Sequence, residues 1–381
     1  MIRGERHINR TWTATLAALI LSLAWISCTR DDAFDNNNKV TITPVVQNRM
    51  ETVVQTRALP GYHIFDQEGQ YLVAYAIAFT NNHANRAPDK DVRGRSFTYM
   101  GNNVWRSSLE VEKNLNYNVY AHSPLPGAHI DTLVYESDNN TYLQFTGLSI
   151  ITQTDPLIST EAAGDSTGFE PSFTAHKFQI GNISSVSGQS GTTKTKVYLK
   201  MDHLYAKATL LFSIDSTYNT LRTIRIKSVS ITTQENGTLQ GQHSISFTGW
   251  TADGEISLKQ PYVYGGSPIT LNLMSNASTD LYDTDDNQNS LGYVTLTTTD
   301  KEFGWFCFLP SIKPECNMSV TYDVVDRKGN VLSTRTATNS GMLSGITSAA
   351  HGKNYKIHVI VRPTYIYQLS DDDVEFELDI E

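Results

Sequence analysis

From Val40 to Ile380 the chain is a succession of short runs of β-branched and aromatic residues, each ended by Gly, Asn, Asp, Ser or Pro. No helix-period pattern runs for more than about two turns. Chains punctuated in this way build layered sheets, and the 19 Tyr and 14 Phe suit the pleated, half-buried surfaces of strands. The expected strands in the first half are 40–43, 71–79, 96–99 with 104–106 as a hairpin, 117–121, 132–135, 142–145 and 173–180. In the second half they are 197–214, 223–232, 244–247, 269–273, 293–298, 305–309, 319–325, 331–336, 355–361 and 374–380. Repeated short strands at this spacing predict an all-β chain built from β-sandwiches.

The last strand has the cleanest pattern. Val374, Phe376, Leu378 and Ile380 fall on one face, and Glu375, Glu377, Asp379 and Glu381 on the other. Two readings fit it. It is an edge strand of the chain's own sandwich, with carboxylates that discourage stray pairing, or it is a strand donated to a neighbouring subunit, whose apolar side chains fill pockets there.

A chain of 381 residues accommodates two domains. The least apolar stretch of its middle, Gly181 to Gly191, places the boundary just beyond it, giving domains over 58–195 and 196–381.

The N-terminus carries Arg3, Arg6 and Arg10 before an uncharged run from Thr11 to Ile26, followed by Ser27 and Cys28. This is the layout of a secretory signal over residues 1–27, and the run is too short for a permanent membrane span. Cys28 reads as a lipidation site, against plain secretion or an uncleaved signal anchor. Residues 28–57 then form a polar tether and a first strand containing Val40 and Ile42.

The net charge of −9 and the pI near 5.6 oppose electrostatic binding to nucleic acid or anionic lipid. No HExxH, GxxxxGK or GxGxxG string occurs, and the sequence nominates no catalytic residue, no cofactor site and no resident metal. Asp202-His203 is the nearest the histidines come to a ligand pair, and His203 reads as a satisfied structural histidine rather than a metal ligand. The run from Asp283 to Asn289 has oxygen ligands at alternate positions. It lacks a calcium loop's glycine and closing carboxylate, where Gln288 and Val294 stand, and reads as a solvated loop. Cys307 and Cys316 either pair across a hairpin or stay apart as buried thiols. Arg57, followed by Ala58 in an extended stretch, has the features of a protease site, although surface arginines in general share them.

Several segments, taken in order, resemble the fimbrillins, the pilin subunits of type V pili of Bacteroidales-type bacteria. They are the lipoprotein signal, Thr56 to Ala58, Tyr120 to Pro124, Asp155 to Ile158, His203 to Ala208 and Gly352 to Ile357. The resemblance implies two tandem transthyretin-like β-sandwich domains, export to the outer membrane through lipid (palmitate) on Cys28, and cleavage between Arg57 and Ala58 by an arginine-specific protease. It further implies that the removed strand includes Val40 and Ile42. Val374, Phe376, Leu378 and Ile380 would be the donor face that fills the opened groove of another pilin subunit, in a homopolymer or a mixed pilus. The expected role is therefore a structural, non-enzymatic subunit of a surface fimbria that supports adhesion. An anchor or tip subunit, or a glycan-binding surface lipoprotein, is the alternative; in the last case Trp105, Trp250 and Trp305 would be stacking platforms.

Overall fold

The structure is a computed structural model. It describes residues 39–48, 68–79, 92–101, 104–107, 109–112, 116–137, 140–164, 177–179, 194–246, 258, 261–274, 281–363 and 374–380. The chain is all-β, as its periodicity predicts, and its sheets pack in layers around a shared apolar core.

Among the described residues the first sheet has nine strands. Its order is β4 (Trp105–Arg106), β3 (Val92–Tyr99), β2 (Tyr71–Phe79), β6 (Asn116–His122), β10 (Leu157–Gly164), β12 (Lys194–His203), β1 (Lys39–Asn48) and β5 (Leu109–Glu112), with β11 (Lys177–Gln179) also on β6. A second sheet runs β24 (Val374–Ile380), β23 (Asn354–Pro363), β13 (Ala206–Ile214), β20 (Lys301–Phe308) and β9 (Ile151–Thr152). The third runs β18 (Thr270–Asn272), β14 (Thr223–Thr233), β21 (Cys316–Val325) and β22 (Val331–Ser340), with β19 (Val294–Thr295) on β14. Two small sheets complete the set, β16 (His243–Ser246) with β8 (Asn140–Thr146) and β7 (His129–Ser137), and β15 (Thr238–Gln240) with β17 (Val263–Gly265). A short helix, α1 (Ser216–Asn219), is capped by Asp215, whose carboxylate accepts from the Thr217 and Tyr218 amides.

The pattern of each strand follows its place. In β13 nearly every residue is buried, as expected of a central strand covered on both faces. In β14 the burial alternates, but the phase changes once: Ile224 and Ile226 are buried, then Val229 and Ile231. A bulge at Lys227 makes the change, since the register against β21 shifts between Ile226 and Ser228. One extra residue returns the apolar row to the core face. Ile226, Val229 and Ile231 then join Leu210 and Phe212 of β13 and Val320 and Val324 of β21 in one cluster. Each such side chain taken fully from water contributes roughly 1.5–3 kcal/mol.

The sequence reading ran 197–214 as one strand, but the chain breaks there. Leu204 and Tyr205 are buried and apolar, without the Gly or Pro that flags a turn, yet they carry the chain from the first sheet to the second. The Tyr205 hydroxyl donates to the Ser149 carbonyl and fixes that crossing. Sheets also join the two halves of the sequence, because β16 pairs with β8 and β20 with β9.

Candidate functional site: the first and last strands

Strand β1 lies between two partners that come from distant parts of the chain. It runs parallel to β12, in register from Thr41 opposite Lys194 to Asn48 opposite Met201. On its other side it runs antiparallel to β5 over four residues, with Val40 opposite Val111 and Ile42 opposite Leu109. From Thr43 onward β5 no longer accompanies it, and Pro44 falls in this half, where a missing backbone N–H is tolerated. On β12 Val197, Leu199 and Met201, two positions apart, are buried. Pro44, Val46 and Asn48 stand opposite them in the register. Taking β1 away would leave β12 and β5 as bare facing edges over a row of buried apolar residues.

Strand β24 lies at the end of the second sheet, antiparallel to β23. Phe376 stands opposite Val361, Leu378 opposite Val359 and Ile380 opposite Ile357, and all three partners are fully buried. The acidic row falls opposite a different set: Glu375 opposite Arg362, Glu377 opposite Ile360 and Asp379 opposite His358. The alternation seen in the sequence therefore matches the core face of β23. Among the described residues no strand pairs with the far edge of β24. Of the expected site residues, Val40, Ile42, Val374, Phe376, Leu378 and Ile380 thus lie on paired strands of two different sheets; Cys28, Arg57 and Ala58 lie outside the described residues.

The other candidates have structural roles. His203 pairs with Asp155, 2.9 Å from Nδ1 to the carboxylate, within a half-buried site. The Asp285 carboxylate accepts from the Asn287 and Asn289 amides and the Asn289 side chain, which together close a tight loop. The Asn289 side-chain amide, followed by the backbone amides, holds this exposed carboxyl below its usual range. Among the described residues no group of three His, Cys, Asp or Glu side chains converges as a metal site. Cys307 and Cys316 are both buried and free, which leaves the hairpin bridge unformed. Trp105 is buried against Tyr99, and the half-buried Trp305 lies beneath the Lys207 ammonium at 4.5 Å. Neither ring is placed as an open stacking platform, and Trp250 lies outside the described residues.

The sequence reading missed β5 and β10, which complete the neighbourhood of β1 and β12. β5 is four residues long, and β10 ends in Glu161-Ala162-Ala163-Gly164, poor strand formers. The signal that marks β10 is the fully buried Ser159, whose hydroxyl accepts from the Ala121 amide at 2.8 Å.

No family profile and no curated protein matches the chain. Solved structures similar to it include a fimbrial protein from Bacteroides vulgatus ATCC 8482, 13% identical, covering 91% of this chain and 99% of that one at a TM-score of 0.46. Another is the fimbrial anchor protein Mfa2 from Porphyromonas gingivalis, 11% identical, covering 90% and 96% at a TM-score of 0.30. Likeness of this kind concerns the fold and does not by itself transmit an activity.

Proposed function

We propose that the protein is a structural subunit of a cell-surface pilus. It polymerises by strand exchange after its N-terminal strand is cut away, and so supports adhesion. The observation that carries this reading is the placement of β1. It is a single segment at the start of the chain, separated in sequence from both its partners, and its excision would open a slot between β12 and β5. A slot of unpaired strand edges over apolar residues is unstable in water and is satisfied by another strand. The chain ends in a seven-residue strand of suitable alternation, β24. Donation from one copy to the next does not close on itself and so makes a filament.

In this scheme Cys28 carries the lipid that delivers the precursor to the outer membrane, and cleavage by an arginine-specific protease between Arg57 and Ala58 removes Val40 and Ile42 together with β1. A two-domain division belongs to the same reading, with its boundary beyond β12, since 195/196 falls inside that strand of the first sheet. Its test is a chain ending at Asp373, expressed in a pilus-forming host. Processing should continue while high-mass ladders disappear; ladders as abundant as those of the full chain would rule the scheme out.

A further inference from the structure

If the strand-exchange reading above holds, on which this step rests, the sequence around the slot also says which strand fits it and in what register. By alternation, Lys194, Lys196, Tyr198 and Lys200 fall on the face of β12 opposite to the buried row Val197, Leu199 and Met201. The residues of β1 in register with them are Thr41, Thr43, Val45 and Gln47, none of them charged. Three lysine positions in one row thus have no charged counterpart on the resident strand; on the other side of β12 Lys200 stands opposite Glu161 of β10. On β5 Glu110 stands opposite Thr41 and Glu112 opposite Lys39.

The C-terminal strand supplies what β1 lacks. Set parallel to β12 with Val374 at the place of Ile42, it puts Phe376 at the place of Pro44, Leu378 at that of Val46 and Ile380 at that of Asn48. An apolar residue with a backbone N–H then replaces a proline, and an isoleucine replaces an asparagine opposite the fully buried Met201. In the same register Glu375 comes opposite Lys196 and Asp379 opposite Lys200, with Glu377 opposite Tyr198. A slip of two residues toward the start of β1 would bring Glu375 opposite Lys194 and Glu377 opposite Lys196, but it sets Glu375 beside Glu110, which stands opposite Thr41, and leaves the place opposite Met201 unfilled. Like charges at adjacent cross-strand positions disfavour that register. A slip the other way carries Ile380 past Asn48, the last paired position of β1.

We infer that the slot vacated by β1 selects residues 374–380 of a second copy of this chain in a single register, set by Glu375 opposite Lys196 and Asp379 opposite Lys200. The incoming strand then fits the slot better than the resident one, and it reaches the slot only by leaving β23 of its own chain.

The experiment compares full-length chains in a pilus-forming host, reading the processed monomer and the oligomer ladder together. Lys196→Glu/Lys200→Glu and Glu375→Lys/Asp379→Lys should each reduce the ladder about tenfold, because two attractive cross-strand pairs become repulsive. The chain carrying all four substitutions should regain most of the loss. A second measurement guards against misfolding of the reversed chains. Ladder formation by purified, protease-treated Lys196→Gln/Lys200→Gln should lose the salt sensitivity of the wild type, since screening acts on charge pairs. Wild-type ladder yield from either double reversal, no recovery in the fourfold chain, or unchanged salt sensitivity in the glutamine chain would overturn the register. Absence of ladders from the processed wild type would instead remove strand exchange itself, and the register with it.

Discussion

Gln288 and Gly329 occupy the same position in two copies of one loop, both with positive φ, at 63° and 88°. In each loop an aspartate carboxylate, Asp285 or Asp326, accepts from the backbone amides two and four residues later and from the side chain of the second of these, Asn289 or Asn330. Gln288 and Gly329 donate their own amides to the carbonyls of Asp285 and Asp326. The left-handed conformation costs a non-glycine residue about 1 kcal/mol. Gln288→Gly should therefore raise stability by up to about 1 kcal/mol, the gain being reduced by glycine's greater freedom when unfolded. Gly329→Gln should lower it by about the same amount. A Cβ at Gly329 meets no atom within 4 Å, so urea denaturation of the pair measures backbone strain without a packing term.

His122 should make the fold sensitive to mild acid. It is buried in β6, its Nδ1 lies 2.6 Å from the Ser123 carbonyl, and its Nε2 lies 3.4 Å from the Tyr75 hydroxyl. Burial pushes its pKa below the ordinary 6.5, and the Ser123 carbonyl opposes this with a smaller upward pull. The unfolded chain then binds a proton that the folded chain refuses. The contribution to stability is complete above 6.5 and is lost as pH falls from there towards the folded value. One such group gives a slope of at most about 1.4 kcal/mol per pH unit. Urea midpoints from pH 7.5 down to 4.5 should show a steeper fall in wild type than in His122→Gln; parallel curves would assign the acid sensitivity elsewhere.

The thiols of Cys307 and Cys316 should be silent in the folded protein. Burial pushes Cys316 up to about 12 and Cys307 well above its usual range, the nearby Asp155 charge adding to the latter. Since the thiolate is the reactive form, a water-soluble disulfide reagent should label neither residue in the native chain and both in urea, without prior reduction. Label that appears only after a reductant is added would mean that the two cysteines are bridged.

The fold class was legible because a period of two survives in single strands: β2 and β24 begin and end where alternation and turn residues place them, at Tyr71–Phe79 and Val374–Ile380. The break at Leu204 and Tyr205 was not legible. Both residues are as apolar as a strand interior, and only the change of sheet, a tertiary event, separates β12 from β13. For the candidate site, the alternation of residues 374–380 was visible in the sequence, whereas the neighbours of β1 were not. Val46 stands in register with Leu199, 153 residues later, and a parallel pairing leaves no hairpin signal to announce it. The row of lysines on β12 acquires meaning only once that register is known.

In the proposed scheme β1 is removed to make room for a strand from another copy. The most direct measurement is the N-terminal sequence of the surface-associated protein from wild-type and Arg57→Ala chains, read alongside their oligomer ladders. The account requires a mature protein beginning at Ala58 in the wild type, with both that terminus and the ladders lost in the variant. A protein that still begins at Cys28 in wild-type filaments, or ladders undiminished in Arg57→Ala, would contradict it.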